Sequence, residues 1–258
     1  MDKIVKIARK YFKDNGACRC GGAHEICLGC KVCRAQDVDR IFNPQDPIES
    51  MIDATILRSD ALVEDVHSLC EMALEYQTAS VCVNTFYIPY VKHILGDEIK
   101  SCTVINFPLG ASEHQAVVAE AKAAIDLDID ELDIVQNLAA IRNDDFESAL
   151  ATACDVAEAC RLEKVLLKII LETCLLTDDQ IILSSLVAKF AGAEFVKTST
   201  GFGSAGANPH VVSLMRKTVG PKLGVKASGG VKSQAQAMEL LAAGANRLGA
   251  SSVKAILT

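Results

Sequence analysis

From about residue 50 to the end, eight short apolar runs alternate with amphipathic stretches of helical length. The runs cover 51–56, 79–83, 101–107, 131–135, 164–171, 194–197, 224–226 and 246–248. Runs this short and this apolar suit strands covered on both faces. The stretches between them, 61–76, 86–95, 112–127, 146–160, 178–190, 209–218 and 234–243, repeat apolar residues at helical spacing, and a last short helix is expected from 251 onward. Eight strand-then-helix units predict an α/β chain closed into a (β/α)8 TIM barrel over 51–258. An open doubly wound sheet is the alternative, but it carries an early Gly-x-Gly-x-x-Gly turn that this sequence lacks. Ser112, Thr177 and Asn208 before Pro209 mark helix entries. Gly192 and Gly244 stand where left-handed C-caps are expected.

A net charge of −7 lacks the basic footprint that nucleic-acid binding calls for. No apolar run approaches a membrane span, and the N-terminus lacks the continuous apolar segment of a secretory signal, so a cytoplasmic chain is expected. Its eleven cysteines are then reduced thiols. Six of them (Cys70, Cys82, Cys102, Cys154, Cys160 and Cys174) read as small core residues.

Two lysines carry the chemistry. Lys197 closes Phe195-Val196-Lys197 and Lys226 closes Gly224-Val225-Lys226, and each is followed at once by small polar residues and glycine. These positions are the C-terminal ends of strands six and seven, where barrel enzymes place their reacting groups. Neighbouring strands lie about 4.8 Å apart, so the two side chains approach closely. Two enclosed ammonium groups repel, which favours loss of one proton. A neutral amine attacks carbonyl carbon, so Schiff-base chemistry is expected. Asp133 lies between apolar residues of strand four, whose inward layer is shared with strand six, and Lys168 adds a third cation on strand five. Internal ion pairs that hold the register would explain one such lysine. Three with an aspartate cost several kcal/mol each to bury, and favour a functional cluster.

A phosphate site is expected at the same mouth. Gly229 and Gly230 follow strand seven, and Gly249, Ser251 and Ser252 follow strand eight and open a short helix. Barrels bind phosphate with these two loops and an extra helix N-terminus. The loop after strand six, with Thr200 and Gly201, lies over the same opening.

The stretches Asp53-Ala54-Thr55-Ile56-Leu57, Ala79-Ser80-Val81-Cys82-Val83-Asn84, Asn106-Phe107-Pro108-Leu109-Gly110, Asp130-Glu131-Leu132-Asp133, Lys168-Ile169-Ile170-Leu171-Glu172-Thr173, Phe195-Val196-Lys197-Thr198-Ser199-Thr200-Gly201-Phe202 and Val225-Lys226-Ala227-Ser228-Gly229-Gly230 occur in this order. Together they make the barrel similar to the deoxyribose-phosphate aldolase family. The resemblance implies a class I aldolase that interconverts 2-deoxy-D-ribose 5-phosphate with acetaldehyde and D-glyceraldehyde 3-phosphate. It implies Lys197 as the Schiff-base lysine, Lys226 as the group that lowers its pKa, Asp133 as a proton relay, and no cofactor for catalysis. Ala54, Thr85, Gln136-Asn137 and Phe202 depart from the pattern seen in many members and bear on substrate positioning. A non-catalytic barrel that binds a sugar phosphate as a sensor or scaffold is the rival reading, but a pure binder has no need of a neutral lysine. A homo-oligomer is compatible with the sequence.

Residues 1–50 stand outside the barrel pattern. Ile4, Ile7, Ala8, Tyr11 and Phe12 recur at helical spacing within 1–14, and Asn15-Gly16 is a stop signal. This helix either docks on its own barrel, or lies on a membrane surface, or binds a partner. In the last case it resembles the peptides that carry enzymes into bacterial microcompartments through a shell or cargo protein. Cys18, Cys20, Cys27, Cys30 and Cys33 contain a C-x2-C-x2-C run that suits a structural zinc better than an iron–sulfur cluster. A reduced, cysteine-rich linker is the alternative.

Overall fold

A computed structural model describes residues 3–11 and 46–257. Eight parallel strands follow one another round a closed barrel: β1 (Ile52–Ile56), β2 (Ser80–Val83), β3 (Lys100–Ile105), β4 (Glu131–Val135), β5 (Leu166–Ile170), β6 (Phe195–Lys197), β7 (Gly224–Ser228) and β8 (Arg247–Ala250). β8 pairs back onto β1, with Asp53 opposite Gly249. The expected (β/α)8 barrel is therefore the architecture, and the strand ends differ from the sequence reading by one or two residues.

Alternation along each strand sorts side chains into two environments. Leu132, Leu167, Val196, Val225 and Leu248 lie in the main apolar layer with the helices, and all are buried. Each contributes about 1.5–3 kcal/mol by leaving water. The alternate positions, among them Asp133, Lys168, Lys197 and Lys226, are buried inside the barrel. Because both faces of the strands are covered along their middles, a charged residue there has only the interior to occupy.

The outer layer comprises α1 (Lys3–Tyr11), α2 (Val63–Tyr76), α3 (Ile88–Leu95), α4 (His114–Ile125), α5 (Leu138–Arg142), α6 (Phe146–Leu162), α7 (Asp178–Ala191), α8 (Pro209–Val219), α9 (Gln234–Ala242) and α10 (Lys254–Leu257). Thr177 caps α7 with Gln180 in a reciprocal pair, and the Asn208 side chain accepts from Val211 N–H ahead of Pro209. Gly192 ends α7 at φ +94°, the left-handed geometry expected of it. Ser112 does not cap α4. Its N–H donates to Asn106 Oδ1 at 3.1 Å, which keeps it in the loop, and Glu113 caps instead by accepting from Gln115 N–H at 2.8 Å. Helix α5 was not expected. It has five residues, too few to show a period, and is set by Asn137, whose side chain accepts from Ala140 N–H.

Helix α1 lies against α7, with Ile4, Ile7 and Tyr11 half-buried on the barrel's apolar layer. The Tyr11 ring meets Phe146 of α6 at 6.0 Å between centroids. Lys3 reaches Asp179 at 2.6 Å, but both side chains are more than half exposed, so this pair adds little to the docking. Met1, Asp2 and residues 12–14 of the expected helix lie outside the described residues. So do Cys18, Cys20, Cys27, Cys30 and Cys33, and with them the zinc expectation.

Candidate active site

One carboxylate organises the barrel interior. Asp133 Oδ2 accepts from Lys197 Nζ at 2.7 Å and from Lys226 Nζ at 2.8 Å. Asp133 Oδ1 accepts from Lys168 Nζ at 2.7 Å and from Cys102 Sγ at 3.4 Å. The four ionic residues come from β4, β5, β6 and β7, and the register places Asp133 beside Lys168 and Lys197 beside Lys226. Lys197 is 2% exposed and the other three are fully buried.

Around this centre lies a ring of charge that the sequence reading missed. Lys168 Nζ also meets Glu131 Oε2 at 2.6 Å and Asp53 Oδ2 at 3.6 Å. Lys226 Nζ is in close ionic contact with Asp53 Oδ2. Arg247 completes the ring, with Nη1 2.8 Å from Asp53 Oδ1 and Nη2 3.3 Å from Glu131 Oε1. The cluster thus holds four cations (Lys168, Lys197, Lys226, Arg247) and three carboxylates (Asp53, Glu131, Asp133).

This ring revises the repulsion expected between two enclosed lysines. Burial pushes the Lys226 ammonium toward losing its proton, but Asp133 and Asp53 outweigh it and raise its pKa above the ordinary lysine value. Burial likewise opposes charge on Lys168, and Asp133, Cys102, Glu131 and Asp53 overcome it. Burial would raise Asp133, yet Lys168, Lys197 and Lys226 hold it well below the usual carboxylate range. Asp53 is lowered in the same way, against burial, by Lys226, Arg247 and Lys168. Lys226 is thus a fixed positive charge beside Lys197, sharing the same carboxylate oxygen.

Lys168 is placed differently from Lys197. It is fully buried and all its polar contacts are internal, so here it is a counter-ion within the barrel wall. Four of the six cysteines expected in the core are buried there: Cys70, Cys82, Cys102 and Cys160. Cys82 and Cys102 face the interior near Asp133 rather than the helices, and Cys154 and Cys174 are only half-buried.

The expected phosphate loops do meet. β7 and β8 pair Ser228 with Gly249, so the chain leaves both strands side by side. Gly229 and Gly230 have φ of +84° and +79°, which turn the backbone sharply over the mouth. The β6 loop packs on this turn: Ala207 N–H donates to the Ser228 and Gly229 carbonyls, and a Cβ on Gly206 would lie 1.9 Å from Gly229 O. Gly201 and the pair Ser251-Ser252 are exposed at the mouth. Gly249 does not follow β8 but belongs to it. A Cβ there would lie 2.9 Å from Ser228 Cβ and 3.3 Å from Lys226 Cε, so this glycine makes room for the Lys226 stem. Thr200 is buried, and its hydroxyl donates to Glu172, which fixes the loop rather than pointing outward. Phe202 is exposed and stands edge-on to Phe107 at 5.4 Å between ring centroids.

Residues 47–257 match the DeoC/LacD family aldolase family. The chain belongs to the DeoC/LacD aldolase family. Among relatives of this DeoC/LacD aldolase, the deoxyribose-phosphate aldolase of Clostridium novyi is 44% identical over 211 residues, covering 81% of this chain and 95% of that one. The deoxyribose-phosphate aldolase of Thermococcus kodakarensis is 43% identical over 208 residues, covering 80% and 93%. Among solved structures, the tetrameric deoxyribose phosphate aldolase of Aeropyrum pernix superposes with a TM-score of 0.77 at 30% identity, covering 88% of this chain and 96% of that one.

Asp53, Glu131 and Arg247 were legible in principle. Asp53 is a charged residue within a short apolar strand, Glu131 and Arg247 open theirs, and Glu131 lies two residues before Asp133, hence on the same face.

Proposed function

We propose that this DeoC/LacD aldolase cleaves and forms 2-deoxy-D-ribose 5-phosphate, with acetaldehyde and D-glyceraldehyde 3-phosphate as the other partners, through a Schiff base on Lys197. The observation that carries this reading is the uneven charge of the buried cluster. With Lys197 neutral, three cations face three carboxylates. The Lys197 amine attacks the C1 aldehyde of the open-chain sugar, and loss of water leaves an iminium. The proton on the C3 hydroxyl is removed, the C2–C3 bond breaks, and its electron pair moves into the iminium. D-glyceraldehyde 3-phosphate leaves and an enamine remains on Lys197. Protonation at C2 and hydrolysis release acetaldehyde and regenerate the amine. Asp133 touches the Lys197 nitrogen, so it stabilises the positive charge that forms there, and we assign it the proton relay through water. Lys226 keeps the neighbouring position cationic. No cofactor enters these steps.

Treatment with acetaldehyde and borohydride should leave one reduced adduct, on Lys197, by peptide mass spectrometry. An adduct on Lys226 with Lys197 untouched, or none, would overturn the assignment. A sensor or scaffold with this fold would also give none.

We assign the sugar's phosphate to the Gly229-Gly230 turn and Ser251-Ser252, with Gly201 at the rim. The binding groups there would be backbone N–H donors and serine hydroxyls, and Lys232, close after the turn, is the nearest cation in sequence. Ser251→Asp should raise the KM for the phosphorylated sugar by about tenfold or more, from repulsion at close range. Unphosphorylated deoxyribose should be little affected. Equal kinetics for both substrates would place the phosphate elsewhere.

We further propose that residues 1–50 take no part in catalysis, and that a zinc on the clustered cysteines would serve this extension alone. No described helix is long and apolar enough to cross a membrane. For α1 to carry the enzyme to a microcompartment shell or cargo protein, Ile4, Ile7 and Tyr11 would have to leave the barrel. Ile7→Glu separates the two roles. A docking element gives a lower Tm with unchanged location, whereas a targeting helix gives lost partner binding at an unchanged Tm.

A further inference from the structure

The barrel interior holds two thiols that the reaction above does not use. Cys82 of β2 and Cys102 of β3 are register partners, and both are fully buried. Their sulfur atoms and a carboxylate oxygen of Asp133 all lie within 4.8 Å of one another. Cys102 Sγ is 3.4 Å from Asp133 Oδ1. Metal–sulfur bonds of about 2.3 Å and metal–oxygen bonds of about 2.0 Å give a tetrahedral site edges of about 3.5–3.8 Å. The Cys102–Asp133 spacing matches such an edge, and the two spacings to Cys82 exceed it by no more than about 1.3 Å. Leu57, Val104 and Phe107 pack around the two sulfurs and supply a dry wall on that side.

We propose that Cys82, Cys102 and Asp133 form an inhibitory site for a thiophilic divalent cation, Zn2+ or Cd2+. Two S–H bonds break as two metal–sulfur bonds form, both protons pass to solvent, and no electrons are transferred. Charge decides which ions enter. A divalent ion with two thiolates is neutral, so it adds nothing to a cluster that already holds four cations and three carboxylates. An ion that prefers oxygen, such as Mg2+, would find one carboxylate already shared by three lysines, and would be repelled by them. Lys168 is the competitor. Its ammonium lies 2.7 Å from Asp133 Oδ1 and 3.3 Å from Cys102 Sγ, and it must withdraw toward Glu131 and Asp53. Lys197 Nζ lies 2.7 Å from the other oxygen of the same carboxylate, and to take the fourth position it would give up one further proton to solvent. Binding therefore removes both the nucleophile and its counter-ion.

The test uses the full chain with free metal fixed by a metal buffer, so that Cys18 to Cys33 cannot deplete it. Deoxyribose 5-phosphate cleavage should fall as free Zn2+ or Cd2+ rises, should recover on chelation, and should ignore Mg2+. Cys82→Ser and Cys102→Ala, each compared with its own metal-free rate, should need about tenfold or more free metal for the same inhibition. A second readout does not depend on the aldolase reading. At saturating Cd2+ each variant should lose part of the cadmium–thiolate ultraviolet absorption of the parent chain. Inhibition and absorption that are unchanged in both variants, or equal inhibition by Mg2+, would overturn the proposal even if the enzyme is an aldolase. Absent turnover with the absorption change intact would instead remove the aldolase reading and leave the metal site.

Discussion

Lys197→Ala will reduce cleavage of deoxyribose 5-phosphate by about four orders of magnitude or more, and will leave the barrel folded. The first half follows from the loss of the only nucleophile in the scheme, and groups that act as a unit cannot substitute for one another. The second half follows from the charge count. Without Lys197, the interior holds Lys168, Lys226 and Arg247 against Asp53, Glu131 and Asp133. Asp133 keeps Lys168 and Lys226 at 2.7 and 2.8 Å, so no buried carboxylate is stranded. Lys197→Met removes the amine with less change of volume, and separates the loss of the group from the cavity that alanine leaves. Both variants should lose the borohydride adduct along with turnover. Residual turnover in either variant above a hundredth of the parent rate would move the covalent step to another residue, with Lys226 first in line.

How far the sequence could carry the reading depended on whether a residue's surroundings are set locally. Lys197 and Lys226 were legible because an apolar run that stops at a lysine is a local pattern, but only Lys197 ends its strand. β7 continues to Ser228, which still pairs with Gly249 of β8, so Lys226 lies in the middle of β7. Asp133 was legible because it interrupts an apolar strand. Asp53 shows the same signal, and Glu131 and Arg247 open their strands, but the roles of all three come from partners on distant strands. Asp53 and Arg247 are 194 positions apart in sequence and 2.8 Å apart in space. Spacing could not reveal that pairing, although barrel closure between β8 and β1 makes it natural. The expected repulsion between Lys197 and Lys226 was incomplete for the same reason, since the anions that hold Lys226 protonated were not counted. Gly249 was misplaced because a Gly-Ala-Ser-Ser run looks like a turn. Only the β7–β8 register shows that the absent side chain clears space for Lys226. Helix α1 could be drawn from its apolar stripe, but the surface it covers on α7 and Phe146 comes from tertiary structure alone.

Asp133→Leu should lower both activity and stability, whereas Lys197→Ala lowers activity alone. It leaves four interior cations with two carboxylates, Asp53 and Glu131. Lys197 then has no carboxylate among its hydrogen-bond partners, and Lys168 and Lys226 each lose one. Removing one partner of a buried ion pair costs about 3–5 kcal/mol, because the remaining charge is left uncompensated. In a chain of this size that is a Tm lower by roughly 10 °C. Asp133→Asn keeps the shape but loses the charge, so it provides the measurement if the leucine variant does not fold. Adding Lys168→Met to Asp133→Leu should recover part of the loss, because it removes one stranded cation. A double-mutant cycle therefore reads the electrostatic share apart from packing. Acid should do gradually what the substitution does at once. The pKa values of Asp133 and Asp53 are held below their unfolded value of about 4, so their stabilisation is complete above that pH. It is lost as pH falls through the folded-state values, and the parent chain should lose stability there more steeply than Asp133→Leu. If the two chains unfold in parallel down the acid limb, and the double variant is no more stable than the single one, Asp133 is not the group that holds the cluster together.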